Sequence, residues 1–562
     1  MANNHLGVRR SLIELQQEHD QNQGNELEKL VAAWAYIKSL PSDDPNSFFI
    51  IGGYHGEPFQ GEGATNQEWW GGYCNHANVL FPTWHRAYLY RLEKALQSAP
   101  GCGDVMLAYW DQTDEYSKTY GIPRVLTDQY FTFKGDIPQC LIDQKIDYNG
   151  KTIANPLISF TLPVAIEDLV AGNESDYSKP KGYKTVRYPL SGLVGTPQAQ
   201  KETKAHNAIF SDYNTNVAIL NANFLQWLNN KVYYVPNASP AVPPGTMIPA
   251  GIAQAYESCL EAPNYTAFSN TQSAAYYSTK PGSPHIVPLE APHNDVHLSV
   301  GGFNLPSNVN NGGPNFSQIP NANADMGEND TAGLDPIFFF HHCNVDRVFW
   351  LWQQKHGCTN HFDIIADNND PGTSTAYNGG NGQGPANGQT EKETLTMQTA
   401  LKPFIKSGSD YYTSDDCINI ETQLDYTYSE GSLSPTKQFN VLMTIDNTLT
   451  KRSNLKLYLS DFSRGGINGS FIIAIYATVG EQKYLVGYHT VLSRWHVGGC
   501  ANCLAHLSVP ATFSLNHYTA EQAHSMSYHV EVIGRENRNK ERFGKFRALA
   551  TTEYKPYKLE VM

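Results

Sequence analysis

Two sets of three histidines, far apart in the chain, are the residues whose types and spacing could do chemistry. The first set is His55, His76 in Cys74-Asn75-His76, and His85 in Phe81-Pro82-Thr83-Trp84-His85-Arg86. The second is His293 and His297 in His293-Asn294-Asp295-Val296-His297, completed from the pair His341-His342. Three imidazoles per set, with no thiolate or carboxylate filling it, suit a borderline metal such as copper. Two such sets predict a metal pair, which can do chemistry that one ion cannot. A single His-x-x-x-His on a helix is more often no metal site at all, and zinc would be its default ion. Here the glutamate of the His-Glu-x-x-His proteases is absent, and a second set of the same composition argues against chance.

The elements that must position these residues are legible in the periodicity. His293 and His297 stand at i and i+4, on one helical face. Residues 26–40 carry Leu27, Leu30, Val31, Trp34 and Ile37 at helical spacing before Pro41. From His85 the period continues through Tyr88, Leu89, Leu92 and Leu96. Residues 336–355 read as a helix apolar almost all round, hence buried. Neighbouring helical residues point about 100° apart, so His341 and His342 are not expected to share one ion. Residues 1–430 therefore read as a mainly α domain with long loops, one of them the Asn/Gly-rich stretch 367–390. Beyond that, runs at 438–445, 455–459, 469–479, 483–491 and 525–533 are β-branched and aromatic between turn residues. They predict a C-terminal antiparallel β-sandwich domain over 431–562.

The bulk numbers exclude several classes. At 562 residues the chain is long for one domain, and with 40% hydrophobic residues it can build a large core. The formal net charge of -14 argues against a nucleic-acid partner. No apolar run approaches the ~20 residues of a membrane span, and residues 1–24 lack the apolar stretch of a signal peptide. The expectation is a soluble, cytoplasmic protein, with a homo-oligomer left open. Nine scattered cysteines do not suggest a disulfide framework.

The motifs carry a resemblance. Cys74-x-His76, Phe81-Pro82-Thr83-Trp84-His85-Arg86, His293-Asn294-x-x-His297 and the run from Asp335-Pro336-Ile337-Phe338 to His341-His342-Cys343-Asn344-Val345-Asp346-Arg347 resemble the tyrosinase/polyphenol oxidase family of type 3 copper proteins. Gly52-Gly53-Tyr54-His55-Gly56-Glu57-Pro58-Phe59 and Arg494-Trp495-His496-Val497-x-x-Cys500-Ala501-Asn502-Cys503 resemble its long, fungal-type members with an extra C-terminal domain.

The resemblance implies two copper ions, one held by His55, His76 and His85 and the other by His293, His297 and His342, with His341 behind the ligands and O2 as co-substrate. It implies small phenolic substrates, monophenols hydroxylated to o-diphenols and these oxidised to o-quinones. Cys74 would form a thioether to His76. Glu290 and Asn294 would hold the water that takes the phenol proton, since free phenol ionises only near pH 10. Asp346, one turn after His342, is expected to orient a ligand imidazole, and Phe338, one turn before it, to pack over the metals. Cys500 and Cys503 would load copper, against the alternatives of a plain disulfide or idle thiols. The C-terminal domain would keep the enzyme latent by placing one apolar side chain in the substrate pocket: Val491 by position, with Leu492 nearly as good. Tyr426-Thr427-Tyr428 resembles the motif closing the catalytic domain, with Arg9 or Arg10 against its rings. Two other readings remain at this point: a catechol or o-aminophenol oxidase without hydroxylation, and a haemocyanin-like oxygen carrier.

Overall fold

The structure is a computed structural model, and it describes residues 6–56, 72–167, 176–235, 246–306, 319, 322–375, 393–434, 454–465, 467, 469–495, 503, 505–535 and 557–562. Its N-terminal part is a helical assembly built around α1 (Glu26–Ser39), α2 (Phe48–Gly53), α3 (Phe81–Gln97), α4 (Gln139–Asp143), α5 (Glu290–Gly301) and α6 (Ile337–Lys355). The predicted helices at 26–40, from His85 onward and at 336–355 correspond to α1, α3 and α6. In α6 every residue from Ile337 to Gln353 is buried, as its all-round apolar pattern requires. Its Phe339 and Phe340 pack on Trp34 of α1, with ring centroids 5.8 and 5.7 Å apart. Short two- and three-stranded ribbons interrupt the helices. Among the described residues no helix is long and apolar enough to cross a membrane.

β1 (Gly7–Arg9) pairs in parallel with β2 (Tyr426–Tyr428), tying the start of the helical part to its end. Arg9, rather than Arg10, is the residue on the tyrosine motif: its guanidinium lies 3.5 Å from the Tyr426 ring centroid. Arg10 instead meets Glu18 at 2.5 Å.

After residue 454 the chain is β-rich. β3 (Lys456–Ser460), β4 (Phe471–Val479), β5 (Gln482–Val491), β6 (Ala511–Ser514), β7 (Ser527–Ile533) and β8 (Lys558–Val561) form two antiparallel three-stranded sheets, ordered β6-β3-β8 and β5-β4-β7. The last residues, too short to assign from sequence, are the edge strand β8. The strand expected at 438–445 lies outside the described residues. β4 reads FIIAIYATV because both its faces are covered. Phe471, Ile473, Ile475 and Ala477 fill the core between the two sheets. Ile472 joins the apolar cluster of the helical part, and Ala474 and Tyr476 pack with Val232 of that part. In β5 the extra residue Val486 makes a bulge opposite Ile475/Tyr476. Beyond it Tyr488 and Thr490 turn to the helical part, where the Tyr488 hydroxyl donates to the Ala250 carbonyl at 3.1 Å.

Candidate dicopper site

Each ligand position is set by a rigid element. His85 lies in the first turns of α3, which opens with Pro82 near its N-terminus. His293 and His297 lie one turn apart on α5, and Phe338, His341 and His342 on α6. His55 follows α2, and there Gly72, at φ +70°, passes so close that a Cβ would meet the His55 carbonyl oxygen at 2.4 Å.

The imidazoles gather as two buried sets, one of His55, His76 and His85 and one of His293, His297, His341 and His342, the donor atoms of each set within 4.8 Å of one another. The sets face each other: the His85 and His342 rings stack at 4.5 Å and those of His76 and His293 at 5.4 Å. Phe338 stacks on His342 at 3.9 Å and meets His55 edge-on at 4.7 Å, so one ring touches both sets.

Hydrogen bonds fix the tautomers. Nδ1 of His85 is 2.8 Å from the Phe81 carbonyl and Nδ1 of His297 is 2.9 Å from the Met326 carbonyl. A carbonyl only accepts, so each Nδ1 carries the proton and each Nε2 offers a lone pair. Nε2 of His293 and of His297 each lies 3.2 Å from Nε2 of His342. Three ring nitrogens converging at that spacing, two of them with lone pairs, make a donor set that a metal cation fits. Both ring nitrogens of His55 and Nε2 of His85 are buried with no hydrogen-bond partner, which proteins seldom tolerate without a ligand. Burial pushes all six imidazoles below their usual range, His85 to about 3 and His297 to about 4. They are therefore neutral donors at ordinary pH, as copper requires.

His341 is turned away at Nδ1, which meets the Gln112 amide at 2.9 Å, and its ring stacks on that of His293 at 5.3 Å.

Residues 45–355 match the family model described as the common central domain of tyrosinase. The chain is 45% identical to the tyrosinase HcTyr2 of a Hahella species over 94% of its length and 92% of that relative. The chain belongs to the tyrosinase family. It is 38% identical to a tyrosinase of Aspergillus oryzae over 94% of its length and 93% of that relative. The tyrosinase structure from Burkholderia thailandensis at low pH superposes with a TM-score of 0.78 at 45% identity, covering 99% of this chain and 100% of that one. As a member of this family the protein is a copper-dependent phenol oxidase with a dinuclear centre and O2 as co-substrate. A recombinant mushroom tyrosinase shares the fold, with a TM-score of 0.58 at 18% identity.

Around this tyrosinase centre the other expected residues take defined places. Glu290 accepts hydrogen bonds from the Ala77 and Thr271 amides at 2.8 and 2.9 Å and from the Thr271 hydroxyl at 3.1 Å. Burial raises its carboxyl, and these donors work against that. Asn294 accepts from Nδ1 of His293 at 2.9 Å and donates to the Thr490 carbonyl of β5 at 3.1 Å. The Cys74 thiol is buried and accepts from the Asn329 amide at 3.0 Å.

Asp346 corrects its expectation. It orients no imidazole, but accepts from Arg86 at 2.6 Å, Arg9 at 3.2 Å and the Tyr426 and Tyr428 hydroxyls at 2.6 Å. Burial alone would raise its carboxyl, but Arg86, Arg9 and the two hydroxyls outweigh it and hold it below the usual range. The partners that do orient ligand rings are backbone carbonyls, which no side-chain pattern announces.

Cys503 is disulfide-bonded, and Cys500 lies outside the described residues. Val491 points into the core of the C-terminal part, whereas Leu492 belongs to the apolar cluster of the catalytic part. A cavity of about 20 Å³ lies between the two parts, lined by His76, Glu290, Asn294, Arg464 and both Val491 and Leu492 among others. Sequence reading missed Arg464, whose guanidinium donates to the Ser493 hydroxyl and is lowered to about 10 by burial, with Glu290 as its facing charge.

Proposed function

We propose that the intact chain is a latent tyrosinase, hydroxylating monophenols and oxidising o-diphenols once its C-terminal domain leaves the copper site. The size of the cavity over His76 and Glu290 carries this reading. At about 20 Å³ it holds one water and no phenol. Val491 and Leu492 both line that cavity and together supply the apolar block, Leu492 packing with the catalytic cluster and Val491 with the cluster of its own part.

The same domain occupies the polar groups that chemistry needs. The Thr490 carbonyl takes the Asn294 amide, and Arg464 sets a positive charge opposite Glu290. With the domain displaced, Asn294 can bind a water held also by Glu290, and the carboxylate can receive the phenol proton through it. Asn294 is held in register by His293 Nδ1, so water and ligand move together. Phe338 and the aromatic rings about the imidazoles exclude bulk water. Copper, when bound, supplies the one-electron couples that pass electrons from phenol to O2. A Cys74–His76 thioether would fix that ring, and Cys500 with Cys503 would serve copper loading in the reduced, dithiol state.

The test is a side-by-side assay of the copper-loaded protein, intact and cut between residues 434 and 454, on a monophenol, an o-diphenol and an o-aminophenol. The reading expects low rates for the intact chain and monophenol turnover after the cut. Diphenol turnover alone would make it a catechol oxidase, and oxygen binding without turnover a carrier.

A further inference from the structure

The catalytic side of the cavity over the copper site carries two buried amide oxygens that no donor among the described residues satisfies. Gln272 stands in the first turn of the helix Thr271–Ser278, beside Thr271, whose amide and hydroxyl hold Glu290. It is 3% exposed and lines the cavity together with His76, Glu290 and Asn294. Its Nε2 donates to the Ser508 carbonyl of the C-terminal part at 2.8 Å. A carbonyl only accepts, so this bond fixes the amide, with the nitrogen on Ser508 and Oε1 turned from it. Oε1 is buried without a hydrogen-bond partner. Asn329 lines the same cavity, gives its amide nitrogen to Cys74 and leaves its buried Oδ1 equally without a partner. Native proteins seldom leave buried acceptors unmet. With the Glu290 carboxylate, the catalytic side of the cavity is a set of acceptors, and its described lining residues include no lysine or arginine. The cation opposite Glu290 is Arg464 of the C-terminal part, whose Nε is itself buried without an acceptor.

We propose that Gln272 is a specificity-determining residue that selects phenols whose para side chain carries an ammonium group, its Oε1 accepting an N–H of that cation. The inference rests on the latent-tyrosinase reading, because a phenol enters only once the C-terminal part has left. Departure removes the Ser508 carbonyl and Arg464 together and leaves the acceptors of the catalytic side facing the opened pocket. A phenol ring at His76 and Asn294 then projects its substituent among the remaining lining residues, Gln272 and Asn329. An ammonium brings three donors and no acceptor. It satisfies the amide oxygens and is drawn by the charge of Glu290. Hydrogen bonds to a charged group are the stronger kind, so the neutral amide discriminates a cation from an uncharged side chain. A carboxylate on the substrate would set acceptor against acceptor and charge against like charge. In the docked state the Arg464 guanidinium takes the place that the substrate's cation takes in the open one.

The experiment uses the copper-loaded full chain, activated by the cut between residues 434 and 454 with both pieces retained. It compares tyramine, 4-ethylphenol and 4-hydroxyphenylacetate, phenols of similar length that are cationic, neutral and anionic. The parent should show kcat/KM falling in that order. Gln272→Leu should lower the ratio of tyramine to 4-ethylphenol about tenfold to a hundredfold, the scale of one hydrogen bond to a charged group. The loss should appear chiefly in KM, since the contact lies away from the reacting atoms. Gln272→Glu, which keeps the acceptor and adds a charge, should raise the same ratio above that of the parent. A ratio unchanged in either variant, or an anionic phenol preferred to the neutral one by the parent, overturns the proposal while leaving the tyrosinase reading intact. A parent that turns over none of the three phenols overturns that reading and this inference with it.

Discussion

Replacing Arg494 with methionine should unlatch the C-terminal domain. Arg494 donates from Nε to Asp330 at 2.9 Å, both side chains are about 1% exposed or less, and the other Asp330 oxygen accepts from the Trp495 amide at 2.9 Å. Arg494 belongs to the C-terminal part and Asp330 to the catalytic part. Undocking returns Asp330 to water, so loss of the arginine penalises the docked state alone. Breaking a buried ion pair by removing one partner costs about 3–5 kcal/mol, and the retained Trp495 amide favours the lower figure. At about 1.4 kcal/mol per tenfold, the open fraction should rise roughly a hundredfold to a few thousandfold. Methionine keeps most of the side-chain volume, so apolar packing is retained. The assays are phenol turnover by the intact variant and its rate of cleavage between residues 434 and 454, which follows the open population when closing is fast. An Arg494→Met protein as latent as its parent and cut no faster would falsify the latch.

Other perturbations address other parts. His297→Ala should reduce copper from two ions per chain to at most one by metal analysis, because the three Nε2 atoms 3.2 Å apart no longer converge. Glu290→Gln should lower the monophenol rate of the cut enzyme about a hundredfold more than the diphenol rate, the lower end of the scale of general-base catalysis; equal losses would reduce Glu290 to a brace for Ala77 and Thr271. Intact holo-protein, denatured under reducing conditions, should weigh two hydrogens less than its sequence if the Cys74–His76 thioether forms, and an alkylatable Cys74 would refute it. Acid should open the latch through His285, whose Nε2 lies 2.9 Å from the Thr512 carbonyl of β6 and whose burial lowers its pKa. A histidine lowered in the docked state supports docking above its ordinary value near 6.5, and that support is lost as pH falls below it. Glu328, raised to about 7 by burial, has the opposite sign and favours docking as pH falls through 7. His285→Gln should therefore shift the midpoint of acid release, read as turnover after a pH jump, to lower pH.

The donors of the copper site were legible because imidazole spacing on a helix is local information: His293 and His297 share a face whatever surrounds them. Helical spacing gives a face and not a partner, so the position of Asp346 one turn from His342 does not say which groups it meets. Asp346 is claimed by Arg9 and Arg86 from elements hundreds of residues away. Which of Val491 and Leu492 packs with the catalytic cluster turns on strand parity, and the bulge at Val486 makes that parity invisible to a count along the chain. β4 gave no help, since a strand apolar on both faces does not say which face meets the other domain.

The segment Glu328-Asn329-Asp330 takes this furthest. It is a run of three polar residues, two of them carboxylates. In the structure all three residues are at most 2% exposed. Arg535 pairs with Glu328 at 2.5 Å, the Asn329 amide donates to the Ser493 carbonyl at 2.9 Å, and Arg494 pairs with Asp330. Two carboxylates are seldom buried without cations, and both cations here come from the C-terminal part. The loop's burial therefore has its physical reason in docking. The same Asn329 reaches Cys74 with its side chain at 3.0 Å, two residues from a copper ligand. Asn329 thus joins the docked C-terminal part, through its backbone amide on Ser493, to the Cys74 side chain two residues before His76.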